Sequence, residues 1–155
     1  MNGTMQWLWV LLLAVIPVSE LRGAIPLALG VYKLNPYAAI PLIVVANFVP
    51  VPFILKFLGP VEKFLRRWEF WDKLMDRIFE RTRRKTKKSI ERWESLALIL
   101  FVAVPLPVTG AWTGSLAAYL FGLDFKKSLI CIFIGILIAG VIVTTAVMAG
   151  INWFL

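Results

Sequence analysis

The feature that most constrains this chain is an apolar run of membrane-spanning length with two charges in its middle. Residues 7–19 carry no charged side chain, Glu20 and Arg22 follow, and residues 27–34 carry only Lys33. With 60% hydrophobic residues in 155 and a mean hydropathy of +0.82, the sequence predicts an integral membrane protein. A charge at bilayer depth costs about 2.5 to 3.5 kcal/mol on insertion scales, so we expect these two to have a function there.

Prolines and a glycine bracket the two charges and predict a broken helix. Pro17 and Pro26 each remove a backbone donor, and Gly23 has the conformational freedom for a reversal. Non-helical backbone at that depth must be satisfied by protein or water, so residues 17–26 are a candidate lining of a cavity. A re-entrant hairpin is predicted to turn at residues 20–26. One span over residues 7–31 is the alternative, although an arm of 13 residues reaches only about 20 Å of a hydrocarbon core of roughly 30 Å.

A full span is predicted over residues 38–58, after a turn signal at residues 34–36. It contains Asn47, with Pro50 and Pro52 close behind. Asn47 either bonds to a neighbouring helix or faces Glu20 and Arg22.

The connector, residues 60–95, carries twelve of the seventeen basic residues. Apolar side chains recur at three- and four-residue steps over residues 60–79, which predicts an amphipathic helix in the membrane interface. Residues 81–88 have six basic side chains and no acidic one, which predicts a cytoplasmic loop that contacts anionic lipid. Because the basic cluster lies beside membrane segments, we expect no nucleic-acid partner.

A second apolar block, residues 96–122, has an uncharged interruption at residues 105–115. Its candidate site residues are Pro107, Thr109, Gly110 and Thr113. The last span is predicted over residues 128–152, where Gly135, Ala139, Gly140, Thr144 and Thr145 give small faces for helix packing.

The two halves share one order, which is a broken block, a short loop and a span. We predict one membrane domain over residues 1–155, with a first repeat at 7–58 and a second at 96–152. If both blocks are re-entrant, Lys126 and Lys127 lie on the same side as residues 81–88, and the positive-inside rule is better obeyed. The predicted fold is therefore an all-α integral membrane protein, with two re-entrant hairpins and two full spans as an inverted repeat, both termini outside, and a cytoplasmic amphipathic helix.

Several classes of function are excluded or disfavoured by composition. Cys131 has no partner cysteine and the chain has no histidine, so we expect no disulfide within the chain, no metal site and no cofactor. A nucleophile, base and orienting group do not occur at related positions, so we expect no enzyme. The first 21 residues lack a basic residue, so the first segment is expected to be retained and not cleaved as a signal peptide.

The motifs Glu20-Leu21-Arg22-Gly23-Ala24-Ile25-Pro26 and Pro105-Leu106-Pro107-Val108-Thr109-Gly110-Ala111-Trp112-Thr113-Gly114 resemble those of the small multidrug export proteins over nearly the whole chain. That family in turn looks related to DedA-type membrane proteins, some of which are flippases for a polyprenyl phosphate carrier. The resemblance implies an intramembrane acid and arginine with two re-entrant hairpins. This chain differs in having no arginine in its second block.

The leading hypothesis is a proton-coupled secondary transporter or lipid flippase of the plasma membrane. Arg22 would hold an anionic group of a lipid or small substrate, and Glu20 would cycle the proton. The predicted site comprises Glu20, Arg22, Gly23, Pro26, Asn47, Pro107, Thr109, Gly110 and Thr113. Alternatives are an exporter of lipophilic cations, a membrane scaffold, and a structural role in which the two charges neutralise each other or cap hairpin ends. Expected partners are membrane lipids and a second copy of the chain in a homodimer.

Overall fold

A computed structural model describes residues 3–65, 67, 91–106 and 109–154 of the chain, without the side chains of residues 65, 91, 92 and 151–154. The elements in order are α1 (Gly3–Val15), α2 (Glu20–Pro26), a π-helical turn (Leu27–Val31), α3 (Pro36–Phe48), α4 (Pro50–Leu65), α5 (Glu91–Ala103), α6 (Ala111–Leu120) and α7 (Phe125–Phe154). These ranges contain helices and no strand, so the prediction of an all-α fold is confirmed.

Two helices are long and apolar enough to cross a membrane. They cover Pro36–Phe64, with 29 residues, and Phe125–Gly150, with 26 residues. The first consists of α3 and α4, because the amide of Val49 still donates to the carbonyl of Val45 at 3.0 Å across their junction. α1 and α5 are apolar as well, but 13 residues rise only about 20 Å, which is too short to cross alone.

The first break lies at residues 16–19, and the prediction that residues 20–26 form the turn is wrong. Glu20, with a φ of 49°, already begins α2. Gly23 is inside that helix, so it does not supply the reversal. Its small size has another use, since a Cβ there would lie 2.8 Å from the Cβ of Ser19.

Pro26 ends α2 without ending the helical path. The chain widens directly after it into the π-helical turn, where the amide of Tyr32 donates to the carbonyl of Leu27 at 3.0 Å. A π turn is a common way to absorb a local disruption of the α-helical ladder. Residues 20–31 therefore form one bent rod that packs against α1 and α3.

Each half of the chain packs in the same pattern. α1 lies against α2 and α3, and α5 lies against α6 and α7. The second short helix of each half also packs on the long helix of the other half, with α2 on α7 and α6 on α4. The resulting core is apolar and draws on both halves, with Leu21, Ile25, Ile43, Leu98, Ile132 and Ile136 all 2% exposed or less.

Glycines allow α5, α6 and α7 to approach closely. A Cβ on Gly114 of α6 would lie 2.5 Å from a methyl of Val102, and one on Gly135 of α7 would lie 2.6 Å from the Cβ of the same valine. Gly140 faces Val44 of α3 with more room, at 3.4 Å. These contacts agree with the predicted small-residue packing of the last span.

Two further boundaries differ from the sequence predictions. The second interruption ends at Gly110 and includes residues 104–106 and 109, because Ala111–Ser115, predicted to be part of it, form the first turn and more of α6. α4 continues through Pro60 to Leu65, so the amphipathic segment predicted from Pro60 begins as an extension of the span. Outside the described residues lie the rest of the predicted amphipathic segment, apart from Arg67, and the basic residues 81–88.

Candidate functional site

Glu20 occupies the N-terminal end of a helix in the other half of the chain. Its side chain is 3% exposed. One carboxylate oxygen accepts a hydrogen bond from the amide of Ala111 at 3.3 Å, and the other accepts one from the amide of Trp112 at 3.2 Å. These are the first two amides of α6, which have no acceptor within their own helix. The carboxylate thus satisfies two free donors and lies at the positive end of the helix dipole.

Gly110 makes this approach possible. It precedes α6 with a φ of 155°, and a Cβ on it would lie 2.5 Å from the carboxylate carbon of Glu20. Any side chain at position 110 would therefore occupy the space of the Glu20 carboxylate. The glycine is required here by close contact as well as by its backbone conformation.

Arg22 binds the carbonyl groups that follow α5. One terminal nitrogen donates to the carbonyl of Leu106 at 2.5 Å and to that of Thr109. The other donates to the carbonyl of Val104 at 3.3 Å and to the Thr109 hydroxyl at 3.0 Å. The planar guanidinium presents several donors in a fixed geometry, so one side chain can bond to several carbonyls of the turn that follows the negative end of α5.

The Thr109 hydroxyl forms hydrogen bonds within the same turn. Its hydroxyl lies 2.7 Å from the carbonyl of Val104 and 3.0 Å from that of Leu106, and it accepts from the amide of Leu106 at 3.3 Å. A hydroxyl has one proton, so it donates to one carbonyl at a time. The short turn between α5 and α6 is therefore organised jointly by Thr109 and Arg22.

The two charged side chains bond to opposite helix ends. Glu20 accepts hydrogen bonds from the amides that begin α6, and Arg22 donates to the carbonyls that follow α5. A third link joins the same two breaks, because the indole N–H of Trp112 donates to the carbonyl of Val15 at 3.0 Å. Of the alternatives raised by the sequence, capping of hairpin ends agrees with these contacts.

A cavity of about 400 Å³ reaches this junction. Its lining consists of Pro17, Val18, Ser19, Glu20, Arg22, Thr109 and Thr113. Two buried polar atoms at the junction have no hydrogen-bond partner among the described residues, namely Nε of Arg22 and the hydroxyl of Thr113. Both atoms can donate a hydrogen bond, so an acceptor such as an oxygen of an anion is the kind of group that either would bind.

The predicted site residues divide into three groups. Glu20, Arg22, Thr109, Gly110 and Thr113 come together at the junction. Gly23 and Pro26 lie in the body of α2, outside the cavity lining, and Asn47 is fully buried in α3 and outside the lining as well. Pro107 lies outside the described residues.

Sequence reasoning missed the backbone partners and the turn before Glu20. The amides of Ala111 and Trp112 and the carbonyls of Val104 and Leu106 carry most of the polar contacts. Their side chains give no signal of this. Only the start of a helix directly after Gly110 could have indicated two free amides. Pro17, Val18 and Ser19, by contrast, belong to the stretch that the sequence predicts to line a cavity.

The chain has two helices of spanning length, and beside them a buried acid and a partly buried arginine between short apolar helices. These are features of a membrane protein. The family described as "Putative small multi-drug export protein" matches residues 20–142, which include Glu20, Arg22, the second break and more than half of α7. The chain belongs to that family, as its motifs predicted, and the family description points to a role in export. Comparison with curated proteins and with solved structures gives no match.

Proposed function

We propose that this protein is a proton-coupled secondary transporter or flippase that moves an anionic lipid or small anion across the plasma membrane. One observation carries the proposal. A buried carboxylate and a guanidinium share a cavity with two unpartnered polar atoms, at the point where two broken helices meet. Intramembrane ionisable groups are expensive and usually mark a substrate or proton pathway. We propose no enzymatic reaction.

The proposed membrane arrangement has two re-entrant hairpins, α1 with α2 and α5 with α6, inserted from opposite sides. The exchange of packing between halves supports it, since α2 lies on α7 and α6 lies on α4. The short helices support it too, because none of the four can cross the hydrocarbon core alone. In this arrangement residues 81–88 are cytoplasmic, and the junction lies near the midplane, as in transporters with inverted repeats.

The proposed cycle begins with the Glu20 carboxylate on the amides of α6. Protonation of Glu20 removes its negative charge and weakens its bonds to Ala111 and Trp112. An anionic group that enters the cavity can then take the released amides together with Nε of Arg22 and the Thr113 hydroxyl. Loss of the proton to the other side returns Glu20 to α6 and expels the anion. The carboxylate thus competes with the cargo for one positive helix end.

The cargo proposed from the resemblance to DedA-type proteins is a polyprenyl phosphate or a similar lipid. A cavity of about 400 Å³ is at the small end of the range for ligand sites, which suits a head group whose chain remains in the bilayer. Arg22 supplies the planar donors that recognise phosphate or carboxylate at two points.

An exporter of lipophilic cations is the second candidate, because the family description favours drug export. Glu20 would then be the counter-charge for the cargo. Arg22 opposes this reading, since it lines the same cavity and repels a cation.

The test is a flux assay in proteoliposomes with an imposed pH gradient, run in parallel with a fluorescent polyprenyl phosphate and a fluorescent lipophilic cation. We expect pH-driven movement of the phosphate probe. Glu20→Gln should abolish the pH dependence, and Arg22→Lys should weaken binding of the phosphate probe. Asp124→Asn, which changes an exposed acid in the loop before α7, is the matched control. Movement of the cation alone would favour the second candidate, and movement of neither would contradict transport of either class.

The membrane arrangement is tested by single cysteines introduced at residues 2, 35 and 126 in a Cys131→Ser background. The re-entrant arrangement places residues 2 and 35 outside and residue 126 inside. If both blocks cross the membrane fully, residue 2 lies inside and residue 126 outside, while residue 35 stays outside. Residue 35 is therefore the internal control for the orientation of the vesicles.

A further inference from the structure

Asn47 is a buried amide with neither half of its side chain bonded. It is 0% exposed, and both its oxygen and its nitrogen lack a hydrogen-bond partner among the described residues. Leaving a buried polar group unpaired is costly, and lipid offers no partner. The site described above does not use this side chain, because Asn47 is outside the lining of that cavity.

The backbone around Asn47 has two carbonyls that lack their usual helix donors. Proline has no N–H, so Pro50 cannot donate to the carbonyl of Ala46 and Pro52 cannot donate to the carbonyl of Phe48. The span changes from α3 to α4 at this point. Two carbonyls without their usual helix donors therefore flank the residue whose side chain is also unpaired.

Two contacts with α7 flank Asn47 along α3. Val44 faces Gly140 at 3.4 Å, and the rings of Phe48 and Phe133 meet edge to face at 5.1 Å between centroids. Asn47 lies between these two residues in sequence and is buried, as are Val44 and Val51. Because Gly140 has no side chain, it leaves more room beside α3 than a larger residue would.

Asn47 also lies at the height of Glu20 in the adjacent helix. α2 with its π-helical turn packs on α3, and the chain reverses between them over residues 32–35. Glu20 precedes that reversal by twelve residues, and Asn47 follows it by twelve. At about 1.5 Å per residue the two side chains are at similar distances from the turn.

Water fits these groups better than a metal cation does. A cation would bind the amide oxygen and the carbonyls but would leave the amide nitrogen without an acceptor. A water molecule accepts from the nitrogen and donates to the oxygens, and buried waters typically make about three such bonds. We propose that Asn47, with the carbonyls of Ala46 and Phe48, forms a buried water site within the first span, level with Glu20.

This water site gives Glu20 a second route to solvent protons, and this role rests on the proposed function. Alternating access requires that the proton carrier reach both sides of the membrane. The cavity lined by Pro17, Val18 and Ser19 gives one route. Water held at the α3–α4 junction, outside the lining of that cavity, would give the other.

The site itself is tested by nuclear magnetic resonance of the full chain in lipid nanodiscs with ¹⁵N-labelled asparagine. We expect a cross-peak between the side-chain amide protons of Asn47 and water, identified by its loss in Asn47→Leu. Asn35, which is exposed, is the positive control for contact with water. An Asn47 amide with no water cross-peak, in a sample where Asn35 shows one, would overturn the site whatever the protein transports.

The role is tested by pH-driven flux of the fluorescent polyprenyl phosphate. Asn47→Leu should lower the flux at least roughly tenfold, since assisted proton transfer is typically worth 10²-fold or more. Probe binding measured without a pH gradient should be unchanged. Asn47→Ser keeps a donor and an acceptor and adds room for water, so it should retain flux. Wild-type flux in Asn47→Leu would overturn the proton route through this site. A wild-type protein without pH-driven flux would instead contradict the proposed function. In that case the resonance experiment alone would decide whether the water site exists.

Discussion

The two breaks in the helices satisfy their backbone groups in opposite ways. The first break, residues 16–19, is followed by two charged side chains that reach across to the other half. The second break, between α5 and α6, has no charged side chain and offers backbone carbonyls and the Thr109 hydroxyl, with the first amides of α6 directly after it. Each break supplies what the other lacks. A region that looks plain in sequence can therefore be half of a polar site, because its backbone supplies the partners.

The breaks also differ in how they reverse the chain. The second uses Gly110 with a φ of 155°, whereas the first uses Glu20 itself with a φ of 49°. A residue other than glycine in the left-handed region costs about 1 to 3 kcal/mol and persists only when its surroundings hold it. The bonds from Glu20 to the amides of α6 are what hold it here, so the conformation of the first break depends on the second.

The largest effect is expected from Gly110→Ala, which breaks the contact between the two regions. The new Cβ would need the space of the Glu20 carboxylate and would be strained at that φ. Strain and lost charge-assisted bonds together should cost about 3 kcal/mol or more in unfolding free energy. The measurement is thermal unfolding in detergent micelles.

Gly122→Ala is the matched control for this change. Gly122 has a φ of 71°, and a Cβ on it would meet nothing within 4 Å. It should therefore lose only the backbone term, about 1 kcal/mol. Equal losses for the two glycines would show that the contact between Gly110 and Glu20 contributes nothing.

The next effect is expected from Arg22→Lys, which keeps the charge but loses the planar guanidinium with its several N–H donors. One ammonium cannot reach the carbonyls of Val104, Leu106 and Thr109 in their present arrangement. We expect a loss of about 2 kcal/mol in unfolding free energy, since a bond to a charged group is worth roughly 1.5 to 3 kcal/mol. Lys33→Arg on the same half is the control, and an unchanged melting temperature for Arg22→Lys would contradict the capping role.

The same comparison shows what sequence could and could not predict. The spans, the two breaks and the importance of Glu20, Arg22, Thr109 and Gly110 follow from charge, proline and glycine within an apolar run. The turn was misplaced by several residues because Gly23 is the obvious flexible residue, whereas the chain reverses at Glu20. No pattern indicates that a glutamate will adopt a positive φ when distant amides hold it in place.

The backbone partners were not predictable for a related reason. Hydrogen bonds to Ala111, Trp112 and Leu106 depend on how two halves separated by about ninety residues dock. Apolar periodicity gives the existence of each helix but not the depth at which it begins. The unpaired state of Asn47 is likewise a result of packing against α7, since sequence equally allowed a bond to a neighbouring helix.

A smaller effect is expected where the second break packs on the core. Gly114→Ala would place a Cβ 2.5 Å from a methyl of Val102, and overpacking of this kind typically costs about 1 to 3 kcal/mol. Combining it with Val102→Ala should recover part of that loss in thermal unfolding. Gly140→Ala, with 3.4 Å to Val44, should cost less. If the double variant loses as much unfolding free energy as the two single variants lose together, Val102 is not the obstacle.

The smallest effect on stability is expected from Thr113→Val, and its comparison with Thr109→Val separates structure from transport within one break. The Thr109 hydroxyl is bonded to Arg22 and to its own turn, so its loss should cost about 1 to 2 kcal/mol. The Thr113 hydroxyl has no partner within the described residues, so replacing it with a methyl of similar size should be neutral or slightly stabilising.

If that hydroxyl binds cargo, Thr113→Val should nevertheless weaken binding of the phosphate probe several-fold, by about 1 kcal/mol for one hydrogen bond. Thermal unfolding and probe binding measured on the same preparations distinguish the cases. A stable Thr113→Val protein with unchanged binding would remove Thr113 from the site and leave Arg22 and the amides of α6 to recognise the anion.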